Sequence, residues 1–268
     1  MKRFVMLCWL VIGLSISGWT QQKLTAEDVI GRFLEATGGK ERWLNLDSRV
    51  EKCLITKYET DGSFGVNQSI KAQTIYYQSP DQFLEHTFST KNLYHSESIL
   101  FKIRTCAWYY TSNTNSVVFF EPEPITFAKE FPRTYLMEAL NLEPIKKVKE
   151  EDGMYRVDFK DDRQDGGVQS LFFDKETFLI KRRSYVTKST MTPWTFTFEE
   201  YQSSGGFKEP RKVELKGGGE PFMTIAVSEI SYDVILNPDL FKPPVPCDGG
   251  GKMVSLDAPY QLPQAVVD

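Results

Sequence analysis

Apolar positions along the chain recur first at helical spacing and then at strand spacing. In LTAEDVIGRFLEATGGKERWLNL, Val29, Ile30, Phe33 and Leu34 fall on one side of a helix. Thr25 stands where an N-cap belongs, with Asp28 three residues on; Glu or Gln is the commoner partner in such a capping box. Gly38-Gly39 predicts the helix end, and a second short helical turn over 40–46 carries Trp43 and Leu44. From Arg49 the period falls to two. Strands are predicted over 50–58, 66–78, 82–90, 93–103, 105–111 and 116–121. After a break they resume over 145–149, 154–160, 168–174, 178–188, 193–202, 211–216 and 221–236. Explicit turn residues separate them, among them Ser112-Asn113-Thr114-Asn115, Asp174-Lys175-Glu176-Thr177, Gly205-Gly206 and Gly217-Gly218-Gly219.

The break itself is informative. Pro122 and Pro124 end strand spacing, and 125–142 reads as helical, with Phe127, Phe131, Tyr135, Leu136 and Leu140 apolar and Pro132 at the helix start. After Asn237-Pro238, Leu240 and Phe241 are expected to tuck back as a plug. Pro and Gly accumulate from Pro243, and residues 245–268 are expected to form a flexible tail. The order is helix, meander, helical insert, meander. This predicts a mainly β protein with helices (α+β), built on an antiparallel sheet in one domain over 21–244. No βαβ alternation occurs, which excludes a parallel nucleotide-binding sheet.

Composition adds a candidate binding function. Aromatics make up 13% of the chain, with 19 Phe, 12 Tyr and 5 Trp. Such residues suit strands and the lining of apolar cavities. Alternation puts Trp194, Phe196 and Phe198 on one strand face, Trp108 and Tyr110 on another, and Leu84 and Phe88 on a third. These seven are the candidate ligand-binding residues; the competing reading is that they pack a closed core. A net charge of −4 argues against a nucleic-acid partner.

The N-terminus, MKRFVMLCWLVIGLSISGWTQQ, has Lys2 and Arg3 before an apolar run too short for a comfortable membrane span. Residues 1–20 therefore read as an export signal, with an uncleaved anchor as the alternative. Beyond it lie Cys53, Cys106 and Cys247, an odd number that leaves at least one thiol unpaired in an oxidising compartment. Cys53 and Cys106 read as buried thiols, with a Cys53–Cys106 disulfide as the alternative.

Catalytic and metal chemistry find little purchase. His86 and His95 are the two histidines and neither belongs to a zinc or nucleophile motif. Around Asp161, Asp165 and Gly166 an EF-hand would need an oxygen ligand at Arg163 and Glu at Phe172. Glycines 217–219 lack the Lys-Ser/Thr ending of a phosphate loop. Nothing fixes the separation of Glu121, Glu123 and Glu143, and Lys181-Arg182-Arg183 reads as a solvated strand edge. We expect no enzyme activity, no cofactor and no metal.

Four stretches, taken in order, resemble the LolA/LolB-like lipoprotein-sorting superfamily: ATGGKERWLNL leading into strands, GGVQSLFFDKETFLIKRRSY around a D-x-x-T turn, TFTFEEYQSSGGFKEPRKVEL as a hairpin, and ISYDVILNPDLFKPP as a closing strand. The resemblance implies a curved antiparallel sheet forming an incomplete β-barrel, lidded by the N-terminal helix and the mid-chain helical insert. It further implies a periplasmic, monomeric carrier whose partners are lipid or lipoprotein acyl chains and a membrane-associated donor or acceptor protein.

Overall fold

The computed structural model describes residues 24–61, 65–78, 82–91, 94–103, 106–120, 144–161, 167–186, 192–247 and 253–265. The export signal, the helix expected over 125–142, and Glu121, Glu123, Glu143, Arg163, Asp165 and Gly166 lie outside them. Two helices come first, α1 (Ala26–Ala36) and α2 (Lys40–Leu44). The first meander is β1 (Ser48–Asp61), β2 (Gly65–Gln78), β3 (Gln82–Lys91), β4 (Tyr94–Ile103), β5 (Cys106–Thr111) and β6 (Ser116–Phe120). The second is β7 (Pro144–Glu151), β8 (Met154–Asp161), β9 (Gly167–Asp174), β10 (Ile180–Val186), β11 (Pro193–Ser204), β12 (Phe207–Gly217) and β13 (Glu220–Tyr232). A 3-10 turn (Pro238–Phe241) and a short β14 (Met253–Ser255) follow.

The predicted strands are present and share one antiparallel sheet. Its order is β14-β6-β5-β4-β3-β2-β1-β13-β12-β11-β10-β9-β8-β7, so the two meanders meet where β1 pairs with β13 and the sheet is not closed. Ends shift where the backbone turns left-handed. Asp233, at φ +52°, follows the end of β13 at Tyr232, short of the predicted residue 236, and Phe178, at φ +57°, stays in the turn before β10. In that turn the Asp174 carboxylate accepts the Thr177 N–H at 2.7 Å, the Thr177 hydroxyl at 2.8 Å and the Glu176 N–H at 3.1 Å, so the D-x-x-T segment ties itself.

Directly paired residues share a face, and the register defines two. One row runs Val148, Val157, Leu171, Arg183, Phe196, Leu215 and Met223 across β7 to β13. Helix α1 packs its buried Ala26, Val29, Ile30, Phe33 and Leu34 into the same apolar cluster, and Phe33 meets Phe173 edge-on at 5.6 Å. The predicted capping box forms: Thr25 Oγ1 accepts the Asp28 N–H at 3.1 Å and Asp28 accepts the Thr25 N–H at 2.9 Å. At the far end Gly38 holds φ +127° beneath the β11–β12 turn, where a Cβ would lie 2.7 Å from the Gly206 carbonyl oxygen. Trp43 of α2 is buried against Phe207 at 4.4 Å, which in turn stacks on Tyr232 at 4.3 Å. This is the helix-bearing face.

The opposite face carries Val50, Tyr76, Leu84, Phe101, Trp108 and Phe119 in one row across β1 to β6. The expected plug forms here, with Leu240 and Phe241 buried. The expected loose tail does not. Residues 253–265 lie along this face: β14 pairs with β6, and Tyr260 sets its ring edge-on to Trp108 at 5.7 Å and to Tyr110 at 5.8 Å. The Pro- and Gly-rich composition masked the apolar residues Val254, Leu256, Tyr260 and Leu262, which have an apolar row to cover.

The cysteine pairing also differs. Cys106 bonds to Cys247, with Cα atoms 6.1 Å apart, and Cys53 is a buried free thiol. Cys53 belongs to the helix-bearing cluster and Cys106 to the other. Three strands separate them in the sheet, roughly 19 Å at the usual strand spacing. A disulfide needs Cα atoms within about 7 Å, so Cys53–Cys106 is geometrically excluded.

Candidate functional site

The helix-bearing face changes character across the sheet. Much of it on β8 to β13 is apolar: Phe159, Leu171, Phe198, Val213, Leu215, Met223 and Ile225 are all at most 7% exposed, with Arg183 of β10 buried among them. Phe196 and Phe198 stack nearly parallel with centroids 6.5 Å apart, as their i, i+2 spacing on β11 requires. Trp194 continues the row, partly buried, and meets Phe222 edge-on at 5.2 Å.

Where β1 meets β13, the same face is charged. Arg49 and Glu51 occupy alternate positions of β1, so both project inward. Glu209 on β12 accepts from Arg49 Nε at 3.2 Å and from Nη2 at 2.9 Å, and the same Nη2 donates to Glu51. The Tyr232 hydroxyl donates to Glu209. All three charged groups are at most 4% exposed. Burial pushes the Glu51 carboxyl well above its ordinary range, against the pull of Arg49 and with a further push from Glu209. Burial opposes ionisation of Arg49, but the two carboxylates more than compensate and hold it firmly charged. Farther along, Cys53 Sγ lies 3.7 Å from Gln73 Oε1, Gln73 donates to Thr87 at 3.2 Å, and Thr87 donates to Glu85 at 3.2 Å. Burial raises the Cys53 thiol far above the range of a reactive thiolate.

The seven predicted binding residues divide between faces. Trp194, Phe196 and Phe198 lie on the helix-bearing face. Leu84, Trp108 and Tyr110 lie on the other, fully buried beneath the plug and the C-terminal segment. Phe88 shares that second face but is 52% exposed, with its ring 4.4 Å from His86. His86 Nε2 lies 2.6 Å from Glu97 Oε1.

The basic run is corrected as well. Strand β10 sits between β9 and β11, so it is no edge. Arg183, 3% exposed, turns toward the helix-bearing face and donates to Gln169 Oε1 at 2.7 Å. Arg182 turns the other way, lies 3.8 Å over the Phe172 ring and pairs with Asp152 at 2.9 Å. A groove of about 480 Å³ runs along the outer side of α1, lined by Glu27, Asp28, Arg32 and Glu35 as well as Phe178. Among the described residues no helix is long and apolar enough to cross a membrane.

No protein-family model and no curated protein matches the sequence. Solved structures do match. A DUF1329 family protein from Desulfovibrio piger superposes with a TM-score of 0.56 at 12% identity, covering 81% of this chain and 97% of its own. A putative outer membrane lipoprotein-sorting protein domain from Vibrio parahaemolyticus gives 0.54 at 12%, covering 81% and 97%. A LolA superfamily protein from Nitrosomonas europaea gives 0.55 at 9%, covering 82% and 98%. The open antiparallel sheet with its helix-bearing apolar face is thus the LolA/LolB-like fold.

Proposed function

We propose that this is an exported, non-catalytic carrier that shields the acyl chains of lipids or lipoproteins from water in the periplasm. The observation that carries the reading is the apolar row of Phe198, Phe196, Leu215 and Met223, ending in the partly buried Trp194 and sharing one buried cluster with the stripe of the separate helix α1. Apart from its C-cap, where the Thr37 carbonyl accepts the Lys208 N–H at 3.1 Å, α1 is not hydrogen-bonded into the sheet ladder among the described residues and would leave without unpairing a strand. Displacing α1 would expose this row to an acyl chain, each buried methylene contributing about 0.8 kcal/mol. The lipoprotein-sorting name attached to one structural neighbour supports the same cargo class. Phe196, Phe198 and Trp194 are the proposed ligand contacts. Leu84, Trp108 and Tyr110 already have the chain's own C-terminal segment as their cover and are not part of the site.

A second reading is a non-catalytic interaction module with a filled interior. It draws support from Phe196 and Phe198 being only 2% exposed. Native mass spectrometry of the exported protein, with lipid extraction of the same sample, separates the two. The carrier reading expects stoichiometric acyl-chain mass on the folded protein. A mass that stays free of ligand after incubation with lipids and acylated peptides would overturn it and favour the interaction module.

A further inference from the structure

The charged end of the helix-bearing face contains polar atoms whose partners are missing. Arg211 lies on β12 two residues after Glu209 and two before Val213, so alternation puts it on the same face as both. Its Nε and Nη1 are shut off from solvent and have no hydrogen-bond partner. Glu51 is fully buried; one carboxylate oxygen takes the Arg49 hydrogen bond and the other, Oε1, has no partner. Burial raises the Glu51 carboxyl above its ordinary range, and Arg211 is close enough to pull the other way. Arg211 offers N–H groups from both Nε and Nη1. Leaving such groups buried and unsatisfied is costly. Buried guanidinium donors with no acceptor call for an oxyanion.

We infer that Arg211 is the anion-binding group of a head-group site for acyl ligands that end in a carboxylate or a phosphate. The inference rests on the carrier reading and adds the chemical class of its ligand. Strand geometry supplies the rest of the fit. From Arg211, the same face of β12 continues through Val213 and Leu215 to Gly217, which pair with Phe198, Phe196 and Trp194. That is a cationic end followed by about 20 Å of apolar track at ordinary strand rise. The head group would satisfy the stranded donors while the chain lies on the aromatic row. Arg49 does not compete for this anion, because Glu209 and Glu51 already hold its guanidinium.

The test is calorimetric titration of the purified protein with palmitate, hexadecyl phosphate and hexadecanol, which share a chain and differ in the head. Wild-type protein is expected to bind one or both anionic ligands about tenfold tighter than hexadecanol, the worth of one charge-assisted hydrogen bond. Whichever of palmitate and hexadecyl phosphate binds tighter names the source of the anion. Arg211→Met should erase the preference and leave hexadecanol affinity unchanged, while Arg211→Lys restores part of it. Ligand-free Arg211→Met should melt no lower than wild type, since its buried guanidinium atoms have no bond to lose. If Met fails to fold at this position, Arg211→Gln gives the same readout. Equal affinity for all three ligands, or a preference that survives loss of Arg211, would overturn the head-group site while leaving the carrier reading standing. Binding of none of the three would overturn the carrier reading itself.

Discussion

The two faces of this sheet are closed by covers of opposite kinds. On one, α1 satisfies its own backbone hydrogen bonds and needs to bring only an apolar stripe: Val29, Ile30, Phe33 and Leu34. On the other, the segment after β13 is irregular and its backbone groups are met one at a time. Asn115 exchanges bonds with Leu256, accepting its N–H at 3.0 Å and donating from Nδ2 at 2.7 Å, and Asn237 bonds to the carbonyls of Ala265 and Gln264. Only this second cover carries a covalent staple, Cys106–Cys247. A helix holds its shape wherever its stripe docks. An irregular strap has no internal hydrogen-bond ladder, so its course depends on bonds and packing to the sheet. The difference suits the functional reading: the cover without a staple belongs to the face of the proposed site, and the stapled cover lies over Trp108 and Tyr110, which are buried in the other cluster.

This comparison can be broken or sharpened by substitution. The largest effect is expected at Arg49→Met, which strands Glu51 and Glu209 without a cation at the edge of the helix-bearing core. A loss of about 3–5 kcal/mol is expected in urea denaturation, and a loss below 1 kcal/mol would show that the cluster is not held as described. Cys247→Ser should cost about 2–5 kcal/mol, given the 141-residue separation of the bridged cysteines. Hydrogen exchange should then accelerate at Val254 and Leu256 while the amides of α1 keep their protection. Acceleration at both would mean that the two covers are one cooperative unit.

Glu51→Gln tests the charged end through pH. The folded pKa of Glu51 lies above its unfolded value, so the folded state binds the extra proton and stability falls as pH rises from the ordinary carboxylate range toward that folded value. The slope approaches about 1.4 kcal/mol per pH unit. The Gln variant should flatten this part of the curve, as read by thermal melts between pH 5 and pH 8. The smallest effect is expected at Thr25→Ala, which removes half of the capping box and should cost about 1 kcal/mol. That loss should add to the Cys247→Ser loss if the covers are independent, as distant sites do.

Much of the architecture was legible because short-range patterns carry it. The capping box at Thr25 and Asp28, the Asp174 turn and the period-two runs depend on residues a few positions apart. The charged cluster was not. Arg49 and Glu51 alternate with Val50 and Lys52, so each face of β1 reads as mixed. The available signal was that Cys53 and Ile55 continue the face of Arg49 and Glu51, which marks that face as the buried one. Arg211 likewise shares a face with Val213 and Leu215.

The sequence alone determined which residues of a strand share a face and where α1 begins and ends, because alternation and capping are local. Only the tertiary structure decided which faces coincide across the sheet and what covers them. It put Trp108 and Tyr110 on the opposite side from Phe196 and Phe198, and it turned an expected loose tail into a stapled cover. It also brought Cys247 to Cys106 and not Cys53. Period two fixes orientation within a strand, but register, strand order and the docking of distant segments are set by long-range packing that no local window contains.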